Sequence, residues 1–126
     1  MEEVKALFFD SYALFEVVHT SKNYKKYAKD DVSVVTTKLN LMELYYGLIV
    51  KYDEKTANSL YEKFSPYCVN IDDNTIKKAM MFRALNKKRD LSYVDCIGYI
   101  LAKQRNIKFL TGDKEFEGME NVEFVK

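Results

Sequence analysis

Residues 4–11 read Val-Lys-Ala-Leu-Phe-Phe-Asp-Ser, a short and mainly apolar run that ends in an acid and a hydroxyl. A run of this length with two adjacent aromatic residues is more typical of a buried strand than of a helix. Apolar residues then recur at helical spacing from Leu14 to Val18, and Asp10 or Ser11 can cap that helix by accepting its free N–H groups. The stretch therefore predicts a strand that passes into a helix at an acidic side chain.

The same succession of strands and helices continues along the chain. We predict further strands at 32–36, 67–71, 107–111 and 122–125, and helices at 40–52, 54–64, 73–88 and 91–105. Residues 22–31 are polar and basic, which predicts the end of a short helix and a loop. Strands separated by helices usually pair in parallel, so the pattern predicts a layered α/β fold.

Composition places the chain among ordinary globular proteins. It has 126 residues, of which 48% are hydrophobic and 31% are charged. This length is typical of one domain, and we predict a single domain over residues 1–126 that needs no disulfide or structural metal. The formal net charge of +1 is too small to attract a polyanion by itself, so any RNA must be bound by a local patch.

Cysteines and terminal residues bear on the cellular compartment. Cys68 and Cys96 lie far apart, without a cysteine or histidine partner at zinc spacing, which argues against structural zinc and favours a reducing compartment. The first residues are acidic, and no apolar stretch approaches the roughly 20 residues of a membrane helix. We therefore expect a cytoplasmic protein with no membrane partner.

Four acidic residues fall where the predicted elements begin or end. Asp10 and Asp113 follow strands, whereas Glu43 and Asp95 lie in the first turns of predicted helices. In a parallel sheet these positions share one edge, where α/β folds bind their ligands. Carboxylates that converge without positive partners repel one another, and a divalent cation would relieve this repulsion. Because the donors are all oxygens, Mg²⁺ or Mn²⁺ is expected rather than zinc or copper.

Each acid also has a purely structural interpretation. The spacings Asn40-x-x-Glu43 and Ser92-x-x-Asp95 match capping boxes or close variants of them. Asp10 could be a simple N-cap, and Gly112-Asp113 could be an ordinary turn. For Glu43 or Asp95 taken singly the cap is favoured, but four such acids on one edge of a sheet favour a metal site.

Four segments of the chain resemble the acidic motifs of PIN-domain nucleases, in the usual order. They are Leu7-Phe8-Phe9-Asp10-Ser11, Asn40-Leu41-Met42-Glu43-Leu44, Tyr93-Val94-Asp95-Cys96-Ile97 and Phe109-Leu110-Thr111-Gly112-Asp113-Lys114-Glu115-Phe116. The resemblance implies a three-layer α/β/α fold with a central parallel sheet of about four to five strands. It also implies that Asp10, Glu43, Asp95 and Asp113 are the catalytic, metal-binding acids.

The resemblance carries further expectations. Ser11 and Thr111 would be the hydroxyl neighbours that orient the acids, and Glu115 stands where the family usually has an aspartate. The implied activity is hydrolysis of RNA phosphodiester bonds with Mg²⁺ or Mn²⁺. The compact length fits the VapC-type toxins of toxin–antitoxin pairs, which implies a homodimer and an antitoxin that binds the helices near Glu43.

Local basic residues offer candidate contacts to single-stranded or structured RNA. Lys114 lies beside the last acid, and a basic group precedes the helix of Asp95. That group comprises Arg83, Lys87, Lys88 and Arg89, and a second group comprises Lys22, Lys25, Lys26 and Lys29. Both groups could bind phosphates, and both could equally be solvated helix faces.

Two other functions fit parts of the sequence. A haloacid-dehalogenase-like phosphatase would share Asp10 and the later Gly112-Asp113, but it requires a second aspartate at the position of Tyr12. A catalytically silent PIN-like module would bind RNA or protein without cleaving, and the presence of all four acids argues against it. The only histidine, His19, has no partner motif and is given no catalytic role.

Overall fold

A parallel sheet of four strands lies at the centre of this computed structural model, which describes residues 4–126. The strands are β1 (Lys5–Phe9), β2 (Val32–Val35), β3 (Lys108–Thr111) and β4 (Val122–Phe124), in the spatial order β2-β1-β3-β4. All three neighbouring pairs are parallel. The carboxyl ends of β1 and β3, which the acids follow, are therefore adjacent at the middle of the sheet.

Helices connect these strands. The α-helices are α1 (Ser11–Val18), α2 (Lys38–Lys51), α3 (Glu54–Phe64), α4 (Asp73–Leu85) and α5 (Tyr93–Gln104), and short 3₁₀ helices cover Lys22–Ala28, Ser65–Tyr67 and Lys114–Phe116. Within residues 4–126, every helix is too short or too polar to cross a lipid bilayer.

Alternate residues of the central strands point to opposite faces of the sheet. Leu7 and Phe9 pack in one apolar cluster with α1, α2 and α3. Phe8 and Phe109 stack on each other in a second cluster, with α4 and α5. These side chains have no exposed surface. Burial on both faces is characteristic of parallel sheets, and the predicted three-layer α/β/α fold is confirmed.

The predicted strand at 67–71 is wrong. This segment forms one isolated parallel bridge, between Thr36 and Cys68, just beyond the end of β2. Its start is taken up by the 3₁₀ turn Ser65–Tyr67, which contains Pro66. Proline has no N–H to donate to a ladder, so pairing is limited to the residues that follow it. Over the described residues the sheet has four strands, the lower of the two predicted numbers.

The polar segment at 22–31 is more ordered than its composition predicts. Lys22–Ala28 is a 3₁₀ helix in which Tyr24 and Tyr27 are buried. Residues three apart lie on the same side of a 3₁₀ helix, so the two tyrosines face the core while the lysines stay outside. The Tyr24 hydroxyl donates to the Val125 carbonyl at 2.5 Å. The spacing of tyrosines among lysines was the available signal.

Candidate active site

Three of the four predicted acids line one open pocket at the carboxyl edge of the sheet. Asp10, Asp95 and Asp113 border this acidic pocket, whose volume is about 380 Å³. Asp10 directly follows β1, and Asp113 lies two residues beyond β3. Asp95 is the third residue of α5. The edge predicted from strand and helix ends therefore does bring three distant carboxylates together.

Each of these aspartates also accepts a backbone N–H. Asp10 Oδ1 accepts from Ala13 at 2.7 Å and caps α1, and Asp113 Oδ1 accepts from Glu115 at 3.0 Å. Asp95 forms the predicted capping box with Ser92: its Oδ2 accepts from the Ser92 N–H at 2.9 Å, and its own N–H donates to Ser92 Oγ at 3.0 Å. The structural roles and a shared pocket thus coexist, because each of these bonds uses one carboxylate oxygen.

Glu43 lies outside the acidic pocket. It borders a neighbouring cavity of about 350 Å³, and Ser11 and Tyr12 line both cavities. Ser11 Oγ donates to Glu43 Oε1 at 2.5 Å, which ties Glu43 to the residue after Asp10. The structure therefore joins Glu43 to the other acids through a hydroxyl rather than within one pocket.

The predicted position of Glu43 in its helix is wrong. Helix α2 begins at Lys38, and the Thr37 side chain caps it by accepting from the Asn40 N–H at 3.2 Å. Glu43 is consequently in the second turn rather than the first, and Asn40 is not the cap. Asn40 instead turns its side chain inward, where it is 2% exposed.

Burial and neighbouring negative charge dominate the electrostatics of the pocket. Burial raises the pKa of Asp10 to about 8, against the lowering effect of hydrogen bonds from Thr111 and Ala13, and the charges of Asp95 and Asp113 raise it further. Burial also raises the pKa of Asp95, which its bonds with Ser92 oppose. In the described part of the chain, the ion pairs are Lys5–Glu123 and Lys103–Glu120, so none neutralises these acids.

Thr111 links two of the acids. Its side chain is fully buried, and its hydroxyl lies near enough to Asp10 to lower the pKa of that carboxyl. The same oxygen accepts from the Asp113 N–H at 3.0 Å. Since a hydroxyl has one proton, accepting from Asp113 leaves that proton for Asp10. The supporting role expected for Thr111 stays a prediction.

The donor chemistry of the acids suits a hard divalent cation. The pocket offers carboxylate oxygens, and the nearby Cys96 is fully buried in the core behind it. Within residues 4–126, however, no three acid, cysteine or histidine side chains already converge on a common point as a metal centre does. The residues therefore fit Mg²⁺ or Mn²⁺ by chemistry, and the side chains would have to turn inward to surround the ion.

Gly112 and Tyr12 shape the floor of the acidic pocket. A Cβ atom on Gly112 would lie 2.1 Å from Tyr12 Cε1 and 2.5 Å from the Val125 carbonyl oxygen. A glycine at this position therefore lets the turn before Asp113 pass between the Tyr12 ring and the backbone of Val125, which follows β4. Tyr12 and Lys126 line the pocket as well, and sequence reasoning assigned neither of them to it.

The predicted RNA-contacting residues differ in how free they are. Lys114 is exposed and lines the acidic pocket. Arg83 donates to the Leu91 carbonyl at 3.0 Å and lies over the Tyr93 ring, and Arg89 donates to the Glu115 carbonyl at 2.6 Å. The arginines thus hold the segment before α5 in place, whereas Lys87 and Lys88 are exposed.

A larger cavity lies away from these acids. It measures about 470 Å³ and runs beside β2, where Tyr27, Val32 and Phe64 are among its lining residues. Asp30 is the one carboxylate among the described residues that line it. The candidate site is therefore chosen by its carboxylates rather than by the volume of the cavity.

Comparison with known proteins gives a family and a set of similar folds. A family model described as PIN domain matches residues 7–122. No curated protein sequence matches the chain significantly. Among solved structures, the Mycobacterium tuberculosis VapC20, described as a Sarcin-Ricin loop cleaving toxin, aligns with a TM-score of 0.78 and 16% identity over 94% of this chain and 96% of that one.

Two further structures are similar over nearly the whole chain. A DNA-bound VapBC from Salmonella typhimurium aligns with a TM-score of 0.73 and 17% identity, covering 96% of this chain and 97% of that one. A toxin–antitoxin complex from Klebsiella pneumoniae aligns with a TM-score of 0.71 and 18% identity, covering 93% and 95%. At these identities the likeness is one of fold.

Proposed function

This chain belongs to the PIN-domain family, and we propose that it is a metal-dependent endoribonuclease in which Asp10, Glu43, Asp95 and Asp113 bind Mg²⁺ or Mn²⁺. One observation carries the proposal: Asp10, Asp95 and Asp113 border the same pocket. Burial and the two neighbouring acids raise the pKa of Asp10 there to about 8. A protein that concentrates carboxylates in this way destabilises its own metal-free state, which is a cost expected at functional sites.

Asp10, Thr111 and Ser11 would each have a distinct role at the proposed cation site. When bound, Mg²⁺ or Mn²⁺ would supply an activated water and a positive charge beside the phosphoryl oxygens. Asp10 would have to be ionised to bind the cation, so that cation affinity would rise with pH. Thr111 holds Asp10 and Asp113 in register through its single hydroxyl. Ser11 positions Glu43 by donating its hydroxyl proton to Oε1 of that residue.

RNA is the proposed substrate, either single-stranded or structured. An exposed RNA backbone can enter an open pocket of this kind more readily than a closed one. Lys114 borders the pocket and is exposed, so it is positioned to contact a phosphate next to the cleaved bond. Lys87 and Lys88 would extend this contact along the strand.

We further propose that the chain is a VapC-type toxin with an antitoxin partner. The similar structures described as toxins or toxin–antitoxin complexes support this assignment. Helix α2, which carries Glu43, exposes Met42, Tyr46 and Val50 at 54%, 71% and 68%. These residues are four apart and share one helix face, where an apolar partner segment would be expected. The homodimer and the cytoplasmic location stay predictions.

A catalytically silent PIN-like binding module is the second candidate. It is supported by the absence, in the described residues, of a preformed three-ligand metal centre. The shared pocket of Asp10, Asp95 and Asp113 disfavours it, because capping α1 accounts for Asp10 alone and does not require three carboxylates to lie together. Membership of the PIN family leaves the phosphatase alternative without support.

The decisive experiment is cleavage of a mixed RNA pool by the purified chain with Mg²⁺, with Mn²⁺ and with excess chelator. The Asp10→Asn variant is compared with Asp53→Asn. Both residues are N-caps whose Oδ1 accepts a backbone N–H at 2.7 Å, but Asp53 is exposed and caps α3. We expect metal-dependent cleavage that Asp10→Asn abolishes and Asp53→Asn retains.

Other results would redirect the assignment. Cleavage that persists in chelator would reject the metal site, and equal loss in both variants would indicate a folding defect. A wild-type chain that cuts no RNA under any condition would favour the binding module.

A further inference from the structure

A continuous chain of side-chain hydrogen bonds reaches Glu43 from inside the protein. Thr37 Oγ1 donates to Asn40 Oδ1 at 2.6 Å, and Asn40 Nδ2 donates to Ser11 Oγ at 3.1 Å. Ser11 Oγ then donates to Glu43 Oε1 at 2.5 Å. We refer to these four residues as the Thr37–Glu43 relay. It crosses from α2 to the start of α1 and back to α2.

The interior half of the relay is almost completely buried. Thr37 has no exposed surface, and Asn40 is 2% exposed. Burying an amide is costly unless its oxygen and its NH₂ group both find partners. Asn40 meets this condition with one hydroxyl at each end, so its orientation is fixed by contacts on both sides.

The direction of every proton in the relay follows from its last member. An ionised carboxylate can only accept, so Ser11 must donate its one proton to Glu43. Ser11 must then accept from Asn40, which requires the NH₂ group of Asn40 to face it. The amide oxygen of Asn40 therefore faces Thr37, whose hydroxyl donates to it. Thr37 meanwhile accepts from the Asn40 backbone N–H at 3.2 Å, which completes its bonding.

We propose that Asn40 is a positioning residue for the candidate cation site: its buried amide donates to Ser11, which leaves the Ser11 proton for Glu43, and this holds the Glu43 carboxylate beside the acidic pocket. The bond uses Oε1, which leaves Oε2 for a ligand. This inference rests on the proposed function, because it assigns Glu43 to the cation. It adds a residue that was predicted as a helix cap and that touches no carboxylate itself.

The substitution Asn40→Asp tests the direction of the relay with almost no change in shape. Aspartate keeps the acceptor for Thr37 but cannot donate to Ser11. Ser11 would then have one proton for two carboxylates, so it could no longer donate to Glu43 alone. A simple charge effect acts in the opposite sense, since an added negative charge near the site attracts a cation. The relay predicts weaker cation binding, and charge alone predicts tighter binding.

The experiment measures Mn²⁺ binding by the full chain, using electron paramagnetic resonance of free Mn²⁺, together with the Mn²⁺ dependence of RNA cleavage. The variants are Asn40→Asp, Ser11→Ala and the double variant. Asn58→Asp is the matched control, because Asn58 Oδ1 also accepts from a hydroxyl, that of Tyr45 at 2.7 Å, on the exposed side of α3. Asn40→Ser breaks the relay without adding a charge, and thermal unfolding is recorded for every variant.

We expect Asn40→Asp, Asn40→Ser and Ser11→Ala each to weaken Mn²⁺ binding by about 10- to 100-fold, the usual effect of removing a residue that orients a ligand. The KM for RNA at saturating Mn²⁺ should change little. The double variant should be no weaker than Ser11→Ala, since both substitutions remove the same bond. Asn58→Asp should match the wild type.

Three results would overturn the inference. They are unchanged or tighter Mn²⁺ binding in Asn40→Asp, losses that add in the double variant, and a wild-type chain that binds no Mn²⁺. The first two, in a wild-type chain that cleaves RNA with Mn²⁺, would reject the relay and leave the proposed nuclease intact. If the wild type binds Mn²⁺, the relay substitutions weaken that binding and no RNA is cut, only the proposed nuclease activity would be rejected.

Discussion

The two sides of the candidate active site hold their acids in different ways. On the side formed by β1, β3 and α5, each aspartate accepts a backbone N–H within three residues of itself. On the α2 side, Glu43 is held by Ser11, a side chain 32 residues away in sequence. The aspartates are therefore positioned by local backbone geometry, whereas Glu43 depends on tertiary contacts.

This difference has a consequence for how each side responds to substitution. A backbone N–H remains when a neighbouring side chain is removed, so each aspartate should keep this contact when such a side chain is changed. A hydroxyl that is deleted cannot be replaced in this way, so Glu43 should be sensitive to its neighbours. Substitutions on the aspartate side should therefore separate stability from activity.

The largest effect is expected from Asp95→Asn. Asparagine keeps an oxygen that can accept from the Ser92 N–H, so the capping box and the melting temperature should be preserved. Losing a ligand charge should reduce metal-dependent RNA cleavage by more than about 100-fold, the upper range for residues that only support ligands. Single-turnover cleavage at saturating Mn²⁺ measures this. Activity within tenfold of wild type would remove Asp95 from the site.

Asp10→Asn should reveal the cost of burying that carboxylate in the metal-free protein. Burial raises the pKa of Asp10 to about 8 from an ordinary 3.8, so the folded chain binds a proton that the unfolded chain has lost between these values. Metal-free wild-type protein should therefore become less stable as the pH rises from 5 to 8 (roughly the same window). Asparagine does not titrate, so the variant does not lose stability in this way. Across that window its free energy of unfolding should rise relative to that of the wild type by at least about 1.4 kcal/mol, the value of one pKa unit.

Denaturant unfolding in chelator at several pH values provides the measurement, with Asp53→Asn as the control. The hydrogen bonds to Thr56 lower the pKa of Asp53, so its contribution has the opposite sign and is lost as the pH falls. If the stability of the wild type does not decrease toward pH 8 (roughly the upper end of the window), the burial of the Asp10 carboxylate is compensated by other interactions even without metal.

The aspartate side was the more predictable from sequence, for the same reason that it is locally anchored. The cap at Asp10 and the capping box of Asp95 each join residues three apart in the sequence, so local patterns predict both. The sheet edge then follows from the parallel order of β1 and β3. The fold class, and the placing of three acids beside one pocket, could therefore be predicted from the sequence.

The α2 side was less predictable because several residues compete for one role. Thr37 and Asn40 are both good N-caps by residue type, and the choice is made by Ser11, 29 residues from Asn40, which binds the amide inside the protein. The spacing of the tyrosines at 24 and 27 indicates their buried side but not their hydroxyl partners, which lie in the last strand region. Long-range hydrogen bonds leave no local periodicity.

A smaller effect is expected from Ser92→Ala. The Ser92 hydroxyl accepts from the Asp95 N–H, and losing this cap should lower the free energy of unfolding by about 1 kcal/mol. The Ser92 backbone N–H still anchors the Asp95 carboxylate in the variant, so cleavage and Mn²⁺ affinity should stay within about threefold of wild type, well below the loss for orienting side chains. A large loss of Mn²⁺ affinity would mean that side chains anchor both sides alike.

The smallest effect is expected from Lys87→Gln with Lys88→Gln, in the segment between α4 and α5. Both lysines are exposed, whereas the neighbouring Arg83 and Arg89 are engaged in bonds to backbone carbonyls. If both lysines contact phosphates, the slope of log affinity against log salt should fall by about 1.4, or about 0.7 for each contact to a single strand. RNA binding is measured in the Asp95→Asn background, which prevents cleavage.

The control is Lys77→Gln with Lys78→Gln, an exposed pair nearer the start of α4, which should leave the slope unchanged. Equal slopes in both pairs would assign Lys87 and Lys88 to a solvated helix end, and would leave Lys114 as the phosphate contact on the aspartate side.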